Sequence, residues 1–230
     1  MHRVAIITGA AGNLGTAVID QFIHHGIVIE GTVMNQQDRD DLSLRNGVQA
    51  EIVDLTDEVA AQQFVDGVQE RHKRIDACVC LVGGFAMGTL NDTDEEALQH
   101  MFKLNFMTAY NTLRPAFAHM KQRNFGRIVL VAAKPALEPE AAGGTLAYAL
   151  AKGQLVNLAK ILNEEGRPHN IVTGVVVPSI IDTPANRQAM PNANFEDWVT
   201  PTAIAKQIGH LCSTNSVALR EPLLKIYGNA

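Results

Sequence analysis

Apolar runs of strand length alternate with stretches of helical periodicity along the whole chain. Val4-Ala5-Ile6-Ile7 predicts a first strand over 3–8, followed by the turn Gly9-Ala10-Ala11-Gly12-Asn13-Leu14-Gly15. Leu14, Val18 and Phe22 then recur every four residues, with Ile23 beside them. That spacing predicts a helix, which His24-His25 ends and Gly26 stops. Further strands are predicted at 27–34, 48–53, 75–82, 127–132, 171–177 and 223–227. Between them lie predicted helices. One spans 56–71 with Val59, Phe64, Val65 and Val68 inward. Another spans 94–121, carrying Leu98, Met101, Phe102, Leu113 and Phe117, with a kink expected at Pro115. Two more fall at 146–165 and 200–212, and 184–198 reads as polar and irregular. Several strands are apolar at every position, so both of their faces are covered. The pattern predicts a parallel sheet between two helical layers.

Composition narrows this further. The chain has 230 residues, 47% hydrophobic and 19% charged, without a linker, repeat or low-complexity tract. One domain over 1–230 is expected, large enough to hold a core without disulfides or a metal. Disordered, collagen-like and disulfide-scaffold chains are excluded. The formal charge is −5, and the densest basic cluster, Arg71-His72-Lys73-Arg74, reads as a solvated helix end. No nucleic-acid partner is expected. No run approaches the roughly 20 apolar residues of a membrane span, and no signal peptide is visible, so a cytoplasmic protein is expected. The cysteines Cys78, Cys80 and Cys212 are too few and wrongly spaced for a zinc site, and read as buried small hydrophobes in a reducing compartment. No metal is expected.

Two features carry chemistry. The glycine turn lies between a predicted strand and a predicted helix, where free backbone N–H groups and a partial positive charge suit a pyrophosphate. Gly9, Gly12, Asn13, Leu14 and Gly15 are its candidate phosphate-binding residues. Tyr148 and Lys152 stand four residues apart, on one helix face. A free phenol titrates near about 10, and a neighbouring ammonium is expected to lower that value, making a tuned acid. Alone, the pair fits an ordinary amphipathic helix start as well. With the glycine turn upstream in the same α/β pattern, the functional reading prevails.

Thr8-Gly9-x-x-Gly12-x-x-Gly15 and Tyr148-x-x-x-Lys152 resemble the short-chain dehydrogenase/reductase family, over nearly the whole chain. Cys80-Leu81-Val82-Gly83-Gly84-Phe85, Ala133-Lys134 and the run 182–191, followed by Asn194-Phe195 and Trp198, resemble its quinonoid dihydropteridine reductase branch. The resemblance implies a single-domain Rossmann-type fold: a doubly wound parallel sheet of about seven strands with helices on both faces. It implies an NAD(P)H-dependent oxidoreductase that reduces a small carbonyl, quinone-like or quinonoid pterin-like acceptor. Tyr148 would donate the proton, with Lys152 tuning it and holding the nicotinamide ribose, and Asn105 in the relay. Asp54 would meet the adenine, with Leu55 next to it. Gly83 and Gly84 would flank the adenosine ribose, and the segment from Pro178 to Thr183 the nicotinamide amide. A homodimer or homotetramer is implied through the helices at 94–121 and 146–165, with Ala109, Ala116, Ala118, Ala151, Leu155 and Leu158 reading as outward.

Departures from the family pattern bear on the chemistry. The usual Asn-Asn-Ala-Gly is Cys80-Leu81-Val82-Gly83, and the usual Pro-Gly is Pro178-Ser179. The catalytic serine is missing: its place near Ala132-Ala133-Lys134 holds no hydroxyl, which Thr145 or Ser179 would have to supply. The pterin reductase branch lacks that serine too, but it also lacks the asparagine found here as Asn105. A site without the serine suits an easily reduced acceptor. The rival reading is a dinucleotide-binding regulator or scaffold that lost catalysis with its serine. For coenzyme choice, no carboxylate stands around 33–35, Asp38 falls late, and Arg39 is near enough to approach a 2′-phosphate, which tips the balance to NADPH. The resemblance to the pterin reductase argues for NADH, and both stay open. The segment 184–198 is expected to be a substrate lid, with Phe85, Met87 and Trp198 as candidate pocket residues.

Overall fold

The computed structural model describes residues 3–213, 216 and 218–230. Seven described strands form one sheet: β1 (Val4–Thr8), β2 (Val28–Val33), β3 (Val48–Ile52), β4 (Ala77–Cys80), β5 (Gly126–Val131), β6 (Ile171–Pro178) and β7 (Leu223–Ile226). Their order is β3-β2-β1-β4-β5-β6-β7, and every pairing is parallel. The β1–β4 registry, Ala5 opposite Ala77 through Thr8 opposite Cys80, marks the line where the strand order reverses. A crevice opens there at the carboxyl ends of the strands, the place where such sheets bind ligands.

Helices cover both faces. On one side lie α3 (Glu58–His72), α5 (Thr108–Arg123) and α6 (Leu146–Gly166). They pack Phe64, Leu113, Phe117, Leu155 and Leu162 onto Ile6, Cys78, Ile128 and Val175. On the other side lie α1 (Asn13–His24), α2 (Gln36–Ser43) and α8 (Pro201–Leu211). They pack Val18, Phe22, Leu42, Ile204 and Ile208 onto Ile7, Ile29, Val79 and Val129. Removing these faces from water is the main drive to fold. The doubly wound expectation holds.

Several local expectations are corrected. The helix α2 is absent from the sequence reading because Leu42 is its one buried residue, so it shows no apolar periodicity. The long helix expected at 94–121 is α4 (Glu95–Phe102), a π-turn (Lys103–Met107) and α5 in succession. Pro115 lies inside α5, which runs on to Arg123, so the irregularity falls at the π-turn and not at the proline. The segment 184–198 is not irregular: it forms α7 (Pro184–Ala189) and a 3-10 turn at Phe195–Asp197. Val59 sits in the first turn of α3 and is exposed.

The basic cluster is not simply solvated. Arg71 Nη2 and His72 Nε2 reach the fully buried Glu30 carboxylate at 2.7 and 2.6 Å, and Arg74 pairs with Asp76. A buried carboxylate needs such partners. The supposed outward residues Ala109, Ala116, Ala151 and Leu155 are core. The exposed apolar face of α4 and α6 consists instead of Leu98, Phe102 and Leu150, which with Met107 line a shallow trough.

Candidate active site

β1 ends at Thr8, and the chain must turn at once into α1. Gly9 does so with φ +63°, a backbone that a side chain strains. Gly15 lets the helix press on the turn, since a Cβ there would stand 2.4 Å from the Gly9 carbonyl oxygen. Gly12 caps α1 without a side-chain bond, so the first N–H groups of the helix keep no side-chain acceptor. The Thr8 hydroxyl oxygen accepts from Leu81 N (2.9 Å) and Val82 N (3.4 Å), tying the turn to the loop after β4. The Thr32 hydroxyl oxygen accepts from Gly9 N at 3.3 Å, tying it to β2.

These ties frame a cleft of about 430 Å³. Gly9, Ala11 and Gly12 line it from the turn, and Thr32, Val33, Met34 and Asp38 from the end of β2 and the start of α2. Asp54, Leu55 and Thr56 line it after β3, and Leu81, Val82 and Gly83 after β4. Of the expected cofactor residues, Gly9, Gly12, Asp54, Leu55 and Gly83 share this wall. Asn13, Leu14 and Gly15 form the first turn of α1 beside it. Pro178 closes β6 and Thr183 caps α7, and neither lines the cleft. The donor set fits a dinucleotide: an anion-receptive helix start, a narrow glycine cradle and an apolar slot.

Asn105 sits in the π-turn, fully buried. Such single π-turns often mark functional positions. Its Nδ2 donates to Met101 O at 3.1 Å, and its Oδ1 accepts from Gly84 N at 3.1 Å. Lys152, in the second turn of α6, is 6% exposed and donates from Nζ to Val131 O at 2.9 Å. Gly83 joins the two: a Cβ on it would stand 2.6 Å from Asn105 Oδ1 and 2.9 Å from Lys152 Nζ. Asn105, Lys152 and Gly83 therefore meet at the carboxyl end of the sheet.

Tyr148 packs edge-on against Phe85, ring centroids 5.1 Å apart. The electrostatic expectation for the pair is corrected. Burial pushes the Tyr148 phenol up to about 12, the opposite direction to the one expected from a neighbouring ammonium. Burial likewise pushes the Lys152 ammonium down to about 8. Desolvation disfavours the charged form of each.

Neither alternative hydroxyl is free of commitments. Thr145 Oγ1 donates to Ala142 O at 3.1 Å, and Ser179 Oγ to Tyr227 O at 2.6 Å. Lys134 Nζ donates to Ala230 O at 3.0 Å and lies over the Tyr227 ring. Trp198 is core, packed on Phe195, whereas Phe85 and Met87 are exposed. Asp38 stands on the cleft wall. Its position was legible in Asn35-Gln36-Gln37-Asp38, a helix-capping pattern that the sequence reading passed over. Among the described residues no group of three potential metal ligands occurs, and no helix is long and apolar enough to cross a membrane.

Sheet order, glycine turn and the meeting of Asn105, Lys152 and Gly83 define a class. The family model described as short chain dehydrogenase matches residues 3–194, and the chain belongs to that family. It is thus an oxidoreductase of the NAD(P)-dependent type. Acetoacetyl-CoA reductase of an Acinetobacter species is 26% identical over 247 aligned positions, covering 99% of this chain and 97% of that one. Dihydropteridine reductase of Dictyostelium discoideum is 26% identical over 219, covering 94% and 90%. The solved structure of ElxO with NADP bound shares the fold, with TM-score 0.92 at 21% identity over 99% of this chain and 98% of that one.

Proposed function

We propose that the chain reduces a small, easily reduced acceptor at the expense of NADH or NADPH, with Tyr148 as proton donor. The observation that carries the reading is the crowding of Asn105 Oδ1 and Lys152 Nζ around Gly83, where a side chain would not fit. The turn at Gly9, Gly12, Asn13, Leu14 and Gly15 would hold the pyrophosphate of the dinucleotide. Asp54 and Leu55 would meet its adenine, Gly83 and Gly84 a ribose, and the Pro178–Thr183 stretch its nicotinamide end. The bound nicotinamide supplies the hydride.

Tyr148 does the acid work. A phenol held at about 12 is protonated at neutral pH, so it gives a proton and does not take one. That favours reduction over oxidation. It remains a stronger acid than water and can protonate a strongly basic oxygen as charge develops there. Lys152, held by the Val131 carbonyl, would hold the ribose. Asn105, fixed by Gly84 N and Met101 O, would orient a water leading out to solvent.

The acceptor follows from what is missing. The β5–α6 loop holds Ala132 and Ala133, and the hydroxyls of Thr145 and Ser179 are given to backbone carbonyls. A lost oxyanion donor costs about 10²–10³ in rate. An acceptor needing little such help fits: a quinone, an activated imine or a quinonoid pterin. Similarity to dihydropteridine reductase points the same way. Phe85 and Met87 form an apolar rim, and 184–198 would act as a lid rooted by the Asp182–Arg187 ion pair and the buried Trp198. The exposed face of α4 and α6 would carry a homodimer, and two such dimers a homotetramer.

Coenzyme oxidation followed by absorbance with quinonoid dihydropterin, quinones and diketones tests the reading. Tyr148→Phe should lose at least about 10²-fold in turnover while binding coenzyme as before. Full activity in that variant would refute the assigned role. Tight coenzyme binding with no turnover of any acceptor would instead support the regulator or scaffold.

A further inference from the structure

We infer that Asn111 is a positioning residue for the adenosine half of the coenzyme, acting through the backbone carbonyl of Leu55. This rests on the reading of the cleft as a dinucleotide site. After β3 the chain turns over 54–57, where Asp57 N donates to Asp54 O at 3.1 Å, and Asp54, Leu55 and Thr56 line the cleft. The Asp54 carboxylate braces the turn from within: Oδ1 accepts from Thr56 N at 2.9 Å and from Thr56 Oγ1 at 2.7 Å. The Leu55 carbonyl is left over, since no backbone N–H among the described residues donates to it. Leu55 is core, and a buried carbonyl without a donor is costly. Its donor comes from another element, Asn111 Nδ2 at 3.0 Å.

Asn111 is buried in the first turn of α5. Thr108, three residues earlier and so on the same helix face, lines the cleft, as does Leu104 in the π-turn. Asn111 stands behind that wall and not in it. Thr108 Oγ1 donates to Leu104 O and Thr112 Oγ1 to Thr108 O, each at 2.8 Å, which stiffens the join of π-turn and helix. Farther along α5, Arg114 pairs with Glu58, and His119 Nε2 with Asp66 Oδ1 at 2.8 Å. Those two ties end on α3, at residues that do not line the cleft, whereas the Asn111 tie ends on the cleft wall itself. Lys103, at the start of the π-turn, acts on the same turn: after the Thr56 bonds, its charge helps to hold the Asp54 carboxyl below the usual carboxylate range. The π-turn that leads into α5 also carries Asn105. One continuous run of helix therefore sets the turn at 54–57 against the end of the cleft where Asn105, Lys152 and Gly83 meet.

Dissociation constants measured on the whole chain test this, by fluorescence for NADH, NADPH and reduced nicotinamide mononucleotide and by calorimetry for ADP-ribose. Asn111→Leu keeps the bulk and removes the donor. Asn111→Ala removes the donor and leaves room for a water, and it decides the matter if the leucine variant does not fold. Either variant should weaken NADH, NADPH and ADP-ribose at least about fivefold. Binding of the mononucleotide, which has no adenosine half, should stay within about twofold. Arg114→Ala cuts a tie that ends outside the cleft, and should change none of these constants. A folded variant, as its melting curve shows, that binds ADP-ribose unchanged overturns the inference, and so does one that loses mononucleotide and ADP-ribose by the same factor. Both results leave the oxidoreductase reading standing. An unaltered chain that binds neither coenzyme nor ADP-ribose overturns both.

Discussion

Lys152 is a cation kept from water, with one carbonyl for company. Its ammonium is pushed down to about 8 by desolvation. The charged form is full below that value and is lost as pH rises through it. Since kcat/KM reports ionisations of the free enzyme, coenzyme kcat/KM should fall above pH 8 with an apparent pKa near there. Tyr148 adds no acid limb or neutral limb, because burial keeps it protonated up to about 12. A profile flat from pH 7 to 10 would remove Lys152 from the proposed role. The pair was legible from spacing alone, because i and i+4 share a helix face in any helix. Their ionisation was not, since desolvation depends on what Phe85, Val131 and Gly83 bring in from other elements.

At the scale of elements, capping decides what periodicity could not. The helix α7 has six residues and no buried one, so burial does not hold it. Thr183 holds its start, accepting from Asn186 N at 3.2 Å, and Asn186 Nδ2 donates back to Ile181 O at 2.8 Å. Loss of a threonine cap costs about 1 kcal/mol. Thr183→Val should therefore speed amide hydrogen exchange across 184–189 several-fold without moving exchange in β1 or β5. Unchanged exchange in α7 would show that the Arg187–Asp182 pair holds the segment instead. Both α2 and α7 escaped the sequence reading for one reason: short polar helices leave no apolar stripe. The π-turn escaped it too, since one extra residue in a turn keeps the apolar composition unchanged.

At the scale of the molecule, the trough between α4 and α6 is apolar where solvent should favour polar side chains. Leu150 is 51% exposed and Phe102 36%. Exposed apolar patches of this kind mark association surfaces. If the proposed homodimer forms through this trough, Phe102→Glu with Leu150→Glu should convert it to a monomer in sedimentation equilibrium while leaving near-UV circular dichroism in place. An assembly that survives both charges would place the interface elsewhere. Of the residues that the sequence reading turned outward, Ala109, Ala116, Ala151 and Leu155 are buried, because which side of a helix meets the core is set by packing.

By itself the sequence determined the strand–helix alternation, the parallel sheet, the glycine turn after β1 and the spacing of Tyr148 and Lys152. Those follow from local periodicity and from fixed spacing along one element. Only the tertiary structure decided the rest. It brought Asn105, Gly83 and Lys152 to one point, placed Asp38 over the crevice, and turned Arg71 and His72 toward the buried Glu30. Each of these joins residues from separate elements, and whether a charge is desolvated or a carboxylate meets a cleft is set by how those elements pack.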